Sequence, residues 1–274
     1  MLRLIILFCL TFLSGVGRSQ NIYSALQLNE NKDYKTARPK KIVETNTFYN
    51  SSGKQADKNV KTFDEVGMLL IEERFDENGN LEAKLTYTND TANRLKLTRI
   101  FERWTQLGYS KETAFYTYDS NHNLTGLTDK DPNGNIIRQT NLVINEKGHP
   151  IELALFDGNG NSFGKENASY LYDKNRAITS VIANDGRVLS TDTIKISFLK
   201  TSTFPSDGET YNSNGDLTNW TRKNLNGTVT EFEEEYSYDS FGNCTENRIY
   251  KVITKDNGKR KRELDRVFKK QYTY

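Results

Sequence analysis

Two tryptophans, Trp104 and Trp220, are the flat aromatic surfaces from which this chain would build a binding site. An indole stacks on a sugar ring or anchors a protein partner, because its apolar face gains from burial while its N–H keeps a polar handle. Trp220 follows Asn219 and precedes Thr221-Arg222 in a polar stretch, which makes it the stronger candidate. The densest acids are Glu231, Glu233, Glu234 and Glu235. A glycoside hydrolase needs two carboxyl groups roughly 5–10 Å apart across a cleft. On a strand Glu233 and Glu235 share one face and Glu234 takes the other, so the run reads first as a solvated strand face.

Other reactive types have ordinary explanations. The loops opening at Asp76, Asp131 and Asp157 suggest calcium, which favours clustered oxygen ligands. An EF-hand loop, however, has Gly at position six and Glu at position twelve. Here Gly79, Gly134 and Gly160 stand at position four, and position twelve after Asp157 is Ala168. His122 and His149 are the two histidines, both in turn sequences, and they read as exposed turn residues. Cys244 follows the turn Gly242-Asn243 at the start of a strand pattern and reads as a semi-buried side chain. A nucleophile would need a base and an orienting partner, which the neighbouring sequence does not supply. No Ser-His-Asp ordering, phosphate loop or zinc spacing is present, so the reading assigns no catalytic residues, metal or cofactor.

The elements that would position these residues follow from a repeated turn. Phe75-Asp76-Glu77-Asn78-Gly79-Asn80 and Tyr238-Asp239-Ser240-Phe241-Gly242-Asn243 share an aromatic-Asp-x-x-Gly-Asn form. Looser copies begin at Asp131, Phe156 and Tyr211. Between turns the period is two: Leu81, Ala83, Leu85 and Tyr87 take one side and Glu82, Lys84 and Thr86 the other. Ile194, Ile196 and Phe198 alternate likewise with Lys195 and Ser197. His122 and Arg176 occupy two positions where the repeat expects glycine, which predicts differently shaped loops there. Hydrophobic residues are 35% and mean hydropathy is −0.75, while the chain holds 15 Tyr and 14 Phe. That composition suits half-exposed sheets with cross-strand aromatic pairs. The expected fold is all-β, an elongated antiparallel β-hairpin array forming a meander, open barrel or solenoid with little helix; a compact β-sandwich is the alternative.

Location and partners are read from the ends and the charge. Arg3, the apolar run Leu4 to Leu13 and the small-residue exit Ser14 to Ser19 form a secretory signal peptide, residues 1–19. Residues 20–40 are a lead-in with room for a helical turn or two, and residues 41–274 are the repeat domain. Without Arg3 and Arg18 the 38 basic residues fall to 36, matching the 36 acids, so no nucleic-acid partner is expected. Lys259 to Arg262 reads as a solvated hairpin tip that also protects an edge. No further hydrophobic stretch suggests membrane insertion after signal removal, and the expected location is secreted, periplasmic or at the cell envelope.

A second pattern carries a resemblance. Tyr116-Thr117-Tyr118-Asp119, Tyr170-Leu171-Tyr172-Asp173 and Tyr236-Ser237-Tyr238-Asp239 share Tyr-x-Tyr-Asp, and the chain ends on Tyr272-Thr273-Tyr274. Roughly residues 45 to 274 resemble the YD repeat of the Rhs family, in divergent form with Gly-Asn where that repeat often has Gly-Arg. The resemblance implies a secreted or surface bacterial protein whose strands spiral into a sheet-walled shell; larger relatives enclose toxins or mediate cell contact. No toxin-like segment follows the array here, so enclosure of a cargo is not expected. Together these readings point to a non-enzymatic envelope binding or scaffolding module for a glycan or an envelope protein, with Trp104 and Trp220 as binding residues. Self-association through edge strands is a further expectation. The alternatives are an envelope glycan hydrolase using paired carboxylates, or an accessory or immunity partner of an Rhs-like toxin.

Overall fold

The computed structural model describes residues 21, 22, 25, 37–51, 53–174, 176–195, 209–224, 227–254 and 257–274. The signal peptide, most of the lead-in and the alternating positions Ile196 to Phe198 lie outside these residues. The strands are β1 (Lys41–Asn50), β2 (Gly53–Phe63), β3 (Leu69–Phe75), β4 (Leu81–Asp90), β5 (Leu95–Thr105) and β6 (Gly108–Tyr118). They continue as β7 (Leu124–Lys130), β8 (Ile136–Ile144), β9 (Pro150–Asp157), β10 (Ser162–Leu171), β11 (Arg176–Ile182) and β12 (Val188–Lys195). Last come β13 (Thr210–Tyr211), β14 (Leu217–Lys223), β15 (Val229–Tyr238), β16 (Cys244–Thr254) and β17 (Arg260–Thr273). All belong to one 17-stranded antiparallel sheet, with no second sheet among the described residues. The single-sheet expectation therefore holds over the sandwich.

The registers have a specific topology. Successive strands pair from β1 to β12 and again from β13 to β17. The first and last strands also pair, Lys41 opposite Thr273 and Phe48 opposite Arg266. Among the described residues no register joins β12 to β13, and the sheet is not closed into a barrel. Because β1 and β17 are antiparallel and every other pairing is antiparallel too, β12 and β13 run in the same direction.

The repeated turn has a simple physical cause. Asp76 accepts the backbone N–H groups of Asn78 and Asn80 on Oδ1, at 2.9 and 2.8 Å, and the Asn80 side-chain amide on Oδ2 at 2.9 Å. Asp119, Asp131 and Asp157 repeat this arrangement. Three N–H donors on one carboxylate hold its pKa below the usual carboxylate range. The fourth residue takes positive φ, 82° at Gly79. His122 adopts the same conformation, φ 64°, with the same backbone hydrogen bonds, so the expectation of a differently shaped loop is corrected there. The Asp119 side chain ties down both flanks and holds a non-glycine residue in that region. At Arg176 the loop does differ: Tyr172–Lys174 forms a 3-10 turn and Arg176 begins β11.

Tyr-x-Tyr-Asp also acquires a structural reason. In three of the four copies the first tyrosine bonds a strand-opening carbonyl, Tyr170 to Pro150, Tyr236 to Leu217 and Tyr272 to Cys244, whereas in the Tyr116 copy it is the second, Tyr118, that bonds a carbonyl, that of Lys96 in β5. In those three the second tyrosine reaches the Asx turn that precedes that strand. Tyr172 accepts from the Asn145 amide, Tyr238 donates to Asp216, and Tyr274 donates to Asp239. Each motif therefore stitches its strand to an earlier hairpin.

Buried apolar side chains occur from β1 to β17, and one group of them forms a cluster. Leu124, Leu127, Leu142 and Leu153 form the core cluster over β7, β8 and β9, and Ile22, from the lead-in, is fully buried among them. The face of the sheet that holds Leu85 also carries part-buried ion pairs, including Glu72–Arg74 at 2.7 Å and Asp129–Arg138 at 2.6 Å.

Candidate functional site

Three adjacent strands, β8, β9 and β10, support a shallow groove of about 550 Å³. Its apolar floor is Val143 and Ile151, which are 50% and 36% exposed. They stand together because the register shifts where β8 ends: Val143 pairs with Glu152 and Ile144 with Pro150, so Ile151 is the extra residue of a bulge. Asn167 faces Glu152 from β10, and its Oδ1 is buried without a hydrogen-bond partner. Glu152 is held by Lys165 at 2.6 Å.

One end of the groove is an aromatic cluster. Tyr170 and Tyr172 stack with centroids 5.6 Å apart, and His149 lies 5.4 and 5.5 Å from them. The His149 Nδ1 is 3.0 Å from the Tyr172 hydroxyl, and Lys147 sits 3.7 Å over the Tyr172 ring. Burial, and then the Lys147 charge, push the His149 pKa below the ordinary histidine value. His149 is thus a part-buried member of this cluster, which corrects the expectation of an exposed turn residue; His122 is exposed. The groove offers apolar contact and a carboxylate, with the buried, unpartnered Asn167 oxygen beside them.

The sequence-derived binding residues lie elsewhere and apart. Trp104 is near the β5–β6 hairpin tip, 37% exposed, packed at 5.5 Å on Tyr109. Trp220, in β14, stacks on the fully buried Phe232 with centroids 4.2 Å apart and donates its indole N–H to Glu234 at 2.6 Å. One Trp220 face and its polar handle are therefore engaged within the sheet. Glu234 also accepts from Tyr236 and Asn247.

The remaining acids and the basic cluster meet each other. Arg260 bridges Glu231 and Glu233 at 2.5 and 2.9 Å, and Arg262 bridges Glu233 and Glu235 at 3.1 and 2.7 Å. The two runs that looked like separate solvated faces form one ionic ladder. Cys244 is half-buried, and burial pushes its thiol up. Among the described residues no group of three or more metal-ligating side chains forms, and no helix is long and apolar enough to cross a membrane. Sequence reasoning did not find the groove; the signal within reach was the apolar pair Val143 and Ile151 flanking the turn Asn145 to Gly148.

No family model matches this chain, and no curated protein matches it. Among solved structures, a porin-like protein from Bacteroides uniformis is similar over 88% of this chain and 100% of its own length, at 12% identity and a TM-score of 0.47. A TcdB2-TccC3 structure is similar over 80% of this chain, at 12% identity and a TM-score of 0.19; the match spans only 16% of that protein. The MucA/MucB complex of Pseudomonas aeruginosa is similar over 86% of this chain and 95% of its own, at 8% identity and a TM-score of 0.15. At these identities and scores none of the three carries an argument about function.

Proposed function

We propose that this chain is an exported, non-enzymatic β-repeat protein of the Rhs-like kind that serves as a binding module at the cell envelope, with the β8–β10 groove as its contact surface. The observation that carries the reading is the side-by-side exposure of Val143 and Ile151 next to the unpartnered Asn167 oxygen. A glycan or an envelope protein presents the matching chemistry, an apolar patch beside an N–H or O–H donor. Glu152 is the one carboxylate among the lining residues, and it is neutralised by Lys165, which favours binding over acid–base hydrolysis at this place.

The test is affinity capture from an envelope extract with residues 20–274 as bait, alongside a Val143→Asp, Ile151→Asp double variant. Retention of a defined glycan or protein that the variant loses supports the groove. Equal retention by both baits removes it.

A further inference from the structure

The lead-in touches the sheet in a way that strand pairing does not require. The Ala25 N–H donates to the Asn21 carbonyl at 3.0 Å, a helical hydrogen bond four residues back along the chain. Ile22 enters the cluster of Leu124, Leu127, Leu142 and Leu153 and is 0% exposed. The Ile22 backbone N–H donates to the Glu166 carboxylate of β10 at 2.7 Å. The seat itself is built by strands that pair independently of Ile22, with Leu142 directly opposite Leu153. In sequence Ile22 stands shortly before β1, yet it packs on β7 to β9, with β2 to β6 lying between in the sheet. The contact is therefore made across the sheet by a residue that lies outside its strands.

We propose that the Leu124–Leu127–Leu142–Leu153 face with Glu166 is a peptide-binding site, occupied in cis by Ile22 of the chain's own lead-in. Recognition takes two elements, one branched apolar side chain and one backbone N–H aimed at a half-buried carboxylate. Both belong to the ligand segment, and the receptor strands supply the complement. The site stands independently of the groove reading, since it faces the core cluster and uses different side chains.

The chemistry sets what a test should read. Burying an isoleucine side chain is worth roughly 1.5–3 kcal/mol, which is on the order of ten- to a hundredfold in affinity. A tethered segment competes at an effective concentration near the millimolar range, so an added peptide gains access mainly when the cis segment is weakened. The experiment uses the full chain and two variants, Ile22→Val and Ile22→Ala, with a fluorescent synthetic peptide of residues 20–30 followed by anisotropy. Uptake is expected to rise in the order unsubstituted, Ile22→Val, Ile22→Ala. The same peptide carrying Ile22→Asp should bind the Ile22→Ala chain at least tenfold more weakly. A flat series, or equal binding of the native and Asp-bearing peptides, overturns the proposal. Ile22→Val removes a single methylene, so the series remains informative if Ile22→Ala fails to fold.

Discussion

The β7–β10 and β15–β17 regions share the same hairpin design and both bury apolar side chains, Phe232, Ile249, Val252 and Val267 in the second, but they differ in what surrounds those side chains. In the first, leucines and Ile22 exclude water, and the Asp129 carboxylate is 1% exposed beneath Arg138. In the second, Glu231, Glu233 and Glu235 interleave with Arg260 and Arg262 on a solvated surface. A buried apolar contact contributes through the area it removes from water, whereas an exposed ion pair is screened by water and salt. A repeat fixes the path of the backbone, and the residues between turns decide what each stretch of sheet is made of.

The sharpest break of this contrast is Leu153→Ala, a cavity beneath Ile22. Urea unfolding should show a loss of about 2–5 kcal/mol. Asp129→Ala follows, leaving Arg138 without its carboxylate; a loss of about 1–3 kcal/mol is expected, because Arg138 is partly solvated. Glu233→Ala in the ladder should cost only about 0.2–1 kcal/mol, and the difference from the unsubstituted chain should shrink as salt is raised. An equal or larger loss than at Leu153 would erase the distinction between the regions.

The finest test is pH. Burial raises the Glu166 pKa, so its folded form holds a proton more readily than its unfolded form. Its contribution is most favourable below the ordinary glutamate pKa and declines as pH rises through the raised value. Arg262 first, for Glu235, and Arg248 first, for Glu246, lower those carboxyls. Their contribution is present above the ordinary pKa and is lost as pH falls through the lowered values. Hydrogen exchange of β10 and β16 amides across the acidic range should therefore show opposite slopes, and Glu166→Gln should flatten the β10 response alone. Parallel slopes would refute the assignment.

These contrasts also mark what was legible in the sequence. The hairpins were, because an Asx residue and a glycine at fixed offsets satisfy one turn locally, and Asp76 and Asp157 do so with their own side chains. Strand alternation around Leu81 to Tyr87 was equally local. The ladder was not, since Arg260 and Glu233 are separated by a hairpin whose register only the folded sheet sets. Trp220 shows the same limit: its polar neighbours in sequence suggested exposure, while Phe232 and Glu234 engage it from the next strand. The groove needed a bulge at Ile151, and the Ile22 seat needed a contact across the sheet.

The pairing of β1 with β17 has a mechanical consequence. Lys41, where β1 begins, lies opposite Thr273, where β17 ends, so both strand termini sit at the same end of their ladder. Tension applied through these two points pulls the strands apart from that end and ruptures the hydrogen bonds in succession instead of loading them together. Such a seam peels at low force, and each broken pair leaves an extended segment free to recruit a new edge.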